Sequence, residues 1–195
     1  MSVRKPNKAI LICDKELMKN NLLLKIKEKI KIEHEMYIIS SEAEKTILGY
    51  TNIVNEFSKY NCSKDDIIVA VGGGILLDLV AFFASTYKRG IDLFMIPTTL
   101  IGMTDASTGG KTCLNTDSGR NELGTLYLPR YVYNNLNFLS TNSESHLRQG
   151  FSEMFKYSLL RSKELLNDLL KYKRQASDAV MLKMIAETAI IRLNI

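Results

Sequence analysis

Residues 67–78 read IIVAVGGGILLD: a β-branched apolar run, three glycines, then apolar residues on every side up to an aspartate. The run predicts a buried strand over 66–71, the glycines a tight turn, and the segment 76–87 a helix buried almost all round. Working upstream, 9–13 is a short apolar strand ending at Asp14, and 16–31 repeats leucine and isoleucine at helical spacing among lysines. A second strand is predicted over 36–40 and a second helix over 42–60, with Ser41 placed to cap it. Downstream, 91–96 is a fourth strand stopped by Pro97. Strands and helices in alternation imply parallel strands joined by right-handed crossovers, an open α/β sheet of Rossmann-like type. Ligands of such sheets lie beyond the carboxyl ends of the strands, where Asp14, Ser40 and Ser41, Gly72 to Gly74, and Pro97 to Thr99 all fall.

After Thr99 the alternation stops. Residues 112–115 and 126–134 read as extended pieces around a turn at 117–119, and from Glu144 the chain is helical, with runs near 144–160, 163–172 and 176–193. The expected organisation is an α/β domain over 1–140, followed over 141–195 by the opening of an all-helical domain. The last helix meets Ile195 without a stop signal, so the chain is expected to be unfinished there.

The 195 residues carry a net charge of +5 with scattered lysines, and no basic stripe with interleaved aromatics that would suit nucleic acid. Three cysteines without C-x-x-C spacing argue against a disulfide framework and a structural zinc, and place the chain in a reducing, cytoplasmic compartment. Each is expected to be a small buried residue. No apolar run is long enough to span a bilayer, and the amino terminus lacks a secretory pattern. His34, in a charged run, is expected to face solvent.

Between the two apolar regions lies PTTLIGMTDASTGGKTCLNTDSGRN, residues 97–121. The glycine triplet would let a backbone approach a pyrophosphate at a helix N-terminus, or be a tight turn only. Asp78 could reach a ribose or answer the helix dipole. Thr98 and Thr99 offer hydroxyls to a cofactor or to the next helical turn. Gly109 and Gly110 turn the backbone to present Lys111, beside which Asp105 could orient a hydroxyl or act as a base; a solvated surface pair is the plainer alternative. Arg120 and Asn121 complete that set. Glu153 and Lys156 share a helix face, and Arg89, in YKRG, could meet a phosphate or a helix C-terminus.

The runs VGGGILLD, TYKRG, IPTTL, DASTGGKTCLN, SGRNELG, FLST and GFSEMFKY, in this order over about 42–160, resemble the 3-dehydroquinate synthases and related sugar-phosphate cyclases. The resemblance implies an NAD domain followed by a helical domain holding a divalent metal, zinc or cobalt. It implies NAD contacts from Asp14, Glu42, Lys45, Gly73, Gly74, Asp78, Thr98, Thr99, Lys111, Arg120, Phe138 and Thr141. Asp105, Lys111, Asn121 and Lys156 would hold the substrate, Arg89 would reach a phosphate across a homodimer interface, and Glu153 would be the carboxylate metal ligand. The implied reaction converts a seven-carbon 2-keto sugar acid phosphate into 3-dehydroquinate and phosphate by transient oxidation, β-elimination, re-reduction and aldol closure. The family's glycine before the aspartate is Leu77 here, a substitution expected to crowd the cofactor. Its lysine is Arg120, the glycine before Glu42 is Ser41, an expected aspartate is Asn135, and two histidine ligands would lie past Ile195. Three alternatives are another cyclase of the superfamily, an iron-dependent alcohol dehydrogenase, and a catalytically dead relative that binds a nucleotide or a partner chain.

Overall fold

The computed structural model describes residues 6–172 and 177–194. Its elements are β1 Ala9–Asp14, α1 Asn21–Lys29, β2 Ile32–Ile38, α2 Ile47–Phe57, β3 Ile67–Gly72, α3 Gly74–Thr86, β4 Asp92–Pro97, β5 Lys111–Leu114, β6 Leu123–Leu126, β7 Tyr131–Val132, α4 Glu144–Arg161, α5 Lys163–Lys171 and α6 Asp178–Leu193. Five strands form a parallel sheet in the order β2-β1-β3-β4-β7, so the α/β reading holds. The register sets Asp14 beside Ile38, Cys13 beside Val71, and Gly72 beside Pro97, which brings the carboxyl ends of four strands to one edge.

Strand periodicity divides the core. Ile10, Ile12, Ile68, Ala70 and Met95 face α2 and α3, while Leu11, Cys13, Val69, Val71 and Ile96 face Leu23 and Phe138. Helix α3 also packs against β5, which explains why it is apolar on more than one side. A third apolar cluster joins Leu100 and Met103 to Met154, Leu165, Met184 and Ile185 of α4, α5 and α6. Gly150 lets α4 approach closely there: a Cβ would sit 2.6 Å from Leu100 Cβ and 2.9 Å from the Ile101 nitrogen.

Several boundaries differ from expectation. The segment 16–31 is not one helix. Asp14 accepts from Glu16 N (2.9 Å) to cap a 3-10 turn, and Asn20 then caps α1 by accepting from Leu22 N and Leu23 N. Strand β2 begins at Ile32 rather than 36, because it pairs with β1 from Ala9 onward. Thr46, not Ser41, caps α2, its hydroxyl accepting from Gly49 N. The Ser41 carbonyl instead accepts from Glu44 N and Lys45 N, closing a turn ahead of the helix. The stretch 126–134 is not one extended piece: β6 pairs antiparallel with β5, whereas β7 joins the main sheet beside β4. Of the predicted helix over 176–193, Ala176 lies outside the described residues, and α6 starts after Ser177. His34 does not simply face solvent; its ring stacks on Tyr60 at 4.6 Å. Leu77, at the position of the family's glycine, is fully buried in the core beside Gly102. Among the described residues no helix is long and apolar enough to cross a membrane.

Candidate functional site

A cavity of about 630 Å³ opens at the carboxyl edge of the sheet. Gly73 and Gly74 form its floor, and Gly73 caps α3 with no side chain, leaving the first-turn amides facing the cavity. A Cβ on Gly73 would come 3.2 Å from Thr99 Cγ2, and one on Gly74 3.5 Å from Ala106 Cβ, so any larger residue would fill this cradle. Asp14, Glu42 and Lys45 line one wall; Thr98, Thr99 and Thr141 line another. Thr99 also accepts from Gly102 N (3.2 Å), so its hydroxyl serves the following turn as well. Asn142 holds the rim by donating to the Thr98 carbonyl (2.8 Å). Phe138 does not line the cavity: its ring is fully buried against the sheet.

A second cavity of about 480 Å³ adjoins the first and shares Asp78, Asp105 and Ala106 with it. Lys111, Asn121 and Arg192 line it. Gly109 and Gly110, at φ 82° and 67°, make the turn that presents Lys111, as the glycine pair predicted. Lys111 therefore stands in this second cavity, while Arg120, expected with it, lines the first.

Between the cavities lies a polar cluster around the buried Lys45. Lys45 Nζ donates to Asn121 Oδ1 (2.7 Å) and Asp78 Oδ2 (3.2 Å), with Cys113 Sγ at 3.6 Å. The Cys113 thiol in turn donates to Asp78 Oδ2 (3.2 Å). Burial pushes the Asp78 carboxyl above its ordinary range, and the Lys45 ammonium opposes that rise. Burial and the neighbouring Asp78 charge push the Cys113 thiol up to about 11. Cys13 and Cys62 are buried apolar residues as expected, but Cys113 is part of this cluster.

Asp105 does not sit in a loose surface pair with a lysine. It lies in a short π-helical turn, Gly102–Ala106, where its Oδ1 meets Arg192 (2.7 Å) and accepts from the Tyr157 hydroxyl (3.2 Å). Arg192 also donates through Nε to the Thr108 carbonyl (3.0 Å) and through Nη1 to Tyr157 Oη. Glu42 pairs with Arg120 and accepts from Asn115 Nδ2 (3.0 Å). Burial pushes the Glu42 carboxyl up, but Asn115 and Arg120 together outweigh it and leave the group below its ordinary range.

Glu153 and Lys156 share one face of α4 as an ion pair, away from both cavities. Glu153 Oε2 is buried, and the cation it meets is the Lys156 ammonium. Among the described residues no group of three or more metal-binding side chains converges, and these residues do not make up a metal site. Arg89 also lies outside both cavities, exposed in a turn where Lys88, Arg89 and Gly90 all have positive φ.

The sequence reading missed Arg192, Cys113 and Asn115. Arg192 meets Thr108 across 84 positions, which no local pattern signals. The asparagine directly after β5 carried a cue, because a polar residue at a strand end tends to bind backbone.

The profile of the 3-dehydroquinate synthase N-terminal family matches residues 35–149. The 3-dehydroquinate synthase of Alkaliphilus oremlandii is 42% identical over 153 residues, 77% of this chain and 42% of that protein. That of Sulfurisphaera tokodaii is 38% identical over 151 residues, 77% of this chain and 43% of that protein. This chain thus spans less than half the length of these curated relatives. Among solved structures, a 2-epi-5-epi-valiolone synthase from Streptomyces hygroscopicus with NAD+ and Zn2+ bound is similar at TM-score 0.85 and 26% identity, over 96% of this chain and 54% of that one. An iron-containing alcohol dehydrogenase from Thermotoga maritima shares the fold at TM-score 0.69 and 17% identity, over 95% of this chain and 60% of that one.

Proposed function

The chain belongs to the 3-dehydroquinate synthase family, and we propose that it forms the NAD-binding domain (1–140) and first helices (141–195) of a cytoplasmic, homodimeric cyclase. In this reading the complete enzyme converts DAHP, a seven-carbon 2-keto sugar acid phosphate, to 3-dehydroquinate and phosphate. NAD, when bound, would accept a hydride from a substrate carbon and later return it, so it is not consumed.

The observation that carries the reading is the pair of cavities sharing Asp78 and Asp105, one floored by glycines at a helix N-terminus and the other adding Lys111 and Arg192 to those two carboxylates. Gly73, Gly74 and the α3 amides would cradle the pyrophosphate. Asp14, Glu42, Thr98, Thr99 and Thr141 would hold the ribose hydroxyls and ring edges, with Arg120 and Lys45 supplying positive charge. Lys111 and Arg192 would draw in a substrate carrying both a carboxylate and a phosphate. Asn121 Oδ1 is committed to Lys45, so its Nδ2 would be the end offered to a substrate oxygen. Asp105 Oδ1 is held by Arg192 and Tyr157, so a substrate hydroxyl would meet Oδ2, which could accept its proton.

Glu153 offers a divalent metal one ligand, and the remaining ligands have no counterpart among the described residues. Lys156, its ion-pair partner, would reach the substrate only once that carboxylate is engaged elsewhere. Arg89 would act on a phosphate only if a second copy brought its turn to the cavity, which is the reason to propose a homodimer. A cyclase acting on a different sugar phosphate is the second reading, favoured by the likeness to the valiolone synthase.

The test has two steps. NAD+ titrated into the chain should bind at one site per chain. Joined to the carboxyl-terminal half of the Alkaliphilus relative, the chain should release phosphate from the seven-carbon acid phosphate when NAD+ and zinc are present. Release from other sugar phosphates alone would select the second reading.

A further inference from the structure

We infer that Asn115, which lines neither cavity, is the positioning residue that fixes the reaction cavity to the cofactor cavity. The inference rests on the two-cavity reading above. Asn115 follows β5 directly and uses three of its polar groups across the gap between the cavities. Its backbone N–H donates to the Lys45 carbonyl (2.7 Å), extending a bridge between Thr46 and Asn115. Its Nδ2 donates to the Glu42 carbonyl (3.2 Å) and to Glu42 Oε2 (3.0 Å). Its Oδ1 accepts from the backbone N–H of Asn121 (2.9 Å).

That last bond has a specific consequence. Asn121 has φ 61°, a left-handed conformation that asparagine tolerates better than most non-glycine residues, and the bond from Asn115 Oδ1 to its N–H pins it in that turn. In this geometry the chain turn at 116–121 brings Asn121 Oδ1 back onto Lys45 Nζ at 2.7 Å. Glu42 and Lys45, which line the cofactor cavity, and Asn121, which lines the reaction cavity, are therefore tied through one residue, Glu42 and Asn121 by its side chain and Lys45 by its backbone N–H. The orientation of the Asn115 amide follows from its partners: an N–H on one side demands the oxygen, and two oxygens on the other demand the NH2.

Asn115→Asp separates the two halves of this role. It keeps the acceptor for Asn121 N–H but replaces the donor to Glu42 with a repelling oxygen. Asn115→Ala removes both. The experiment measures hydrogen exchange along the full chain for wild type and both variants, with NAD+ and inorganic phosphate titrated as probes of the two cavities. In Asn115→Ala, amides of 42–46 and 118–122 should both lose protection, and both probes should weaken about tenfold, the size of one lost hydrogen bond. In Asn115→Asp, protection should fall at 42–46 only, with NAD+ weakened about tenfold and phosphate within twofold of wild type. Identical behaviour of the two variants, or unchanged exchange in both segments, would overturn the inference. If wild type bound neither probe, the two-cavity reading would fail, while the exchange pattern would still decide whether Asn115 ties the segments together. A merely structural residue would move both segments together in both variants.

Discussion

Asn121 Oδ1 and Asp78 Oδ2 lie 2.7 and 3.2 Å from the same nitrogen, the ammonium of Lys45. Asp78 belongs to both cavities and Asn121 to the second, so one buried cation joins the helix behind the glycine turn to the loop after β5. The Lys45 side chain is 4% exposed and that of Asp78 19%, a setting in which a missing partner is felt strongly.

Lys45→Met should therefore lower unfolding stability by about 3 kcal/mol, because it leaves a largely desolvated carboxylate without its cation. Adding Asp78→Asn to that variant should recover part of the loss. Urea midpoints of the two variants check this; a double variant no more stable than Lys45→Met alone would mean that the pair does not couple.

Cys113 gives a pH prediction. With its thiol pushed up to about 11 from 9.0, the folded chain at pH 8 holds on the order of 100-fold less thiolate at this position than the unfolded chain. Iodoacetamide labelling followed by peptide mass should be slow at pH 8 and climb about tenfold per pH unit toward 11. Because the folded value is the higher one, the thiol's contribution to stability is fully present below about 9 and fades as pH rises through about 11. Rapid labelling of native Cys113 at pH 8 would contradict the cluster geometry.

Arg192 joins α6 to the turn that carries Asp105. Arg192→Ala should destabilise the chain by about 2 kcal/mol and loosen hydrogen exchange over 102–109, since Asp105 loses its cation and keeps only Tyr157, and the Thr108 carbonyl loses its donor. Arg192→Lys should recover only part of this, as an ammonium cannot serve Asp105, Tyr157 and Thr108 with the guanidinium's fork.

Gly150→Ala tests how α4 is seated. Its Cβ would press on Leu100 and on the backbone at Ile101, so one side or the other must move, at about 2 kcal/mol. The same substitution at Gly74 should be nearly neutral for folding, because the nearest atom there is at ordinary contact distance. Thermal melts of the two variants compare them directly.

The parallel sheet was legible because strand periodicity and the glycine turn at Gly72–Gly74 are local signals that the packing reinforces. Cap choice was not: Ser41 and Thr46 are both capable caps, and only the turn over 41–45, which buries Lys45, selects Thr46. The split of 126–134 into β6 and β7 depends on partners some twelve residues and more away, beyond the reach of periodicity. Within the candidate site, the residues on motifs reached the cavities, with Phe138 an exception set by burial, Glu153 and Lys156 by helix face, and Arg89 by its place in an exposed turn. Arg192 became visible only in three dimensions, because it acts on Thr108 and Asp105 far off in sequence, and the strand-end cue at Asn115 did not reveal its reach to Glu42. A resemblance carried by motifs finds groups that touch ligand more readily than groups that hold those groups in place.

The most direct measurement is calorimetric titration of NAD+ into the chain and into Gly74→Leu, whose backbone geometry accepts a side chain but whose cradle it would fill. One-site binding by the parent, lost in a variant that melts at the same temperature, is the expected result. No binding by the folded parent, or equal binding by Gly74→Leu, would contradict the assignment of this cavity to NAD.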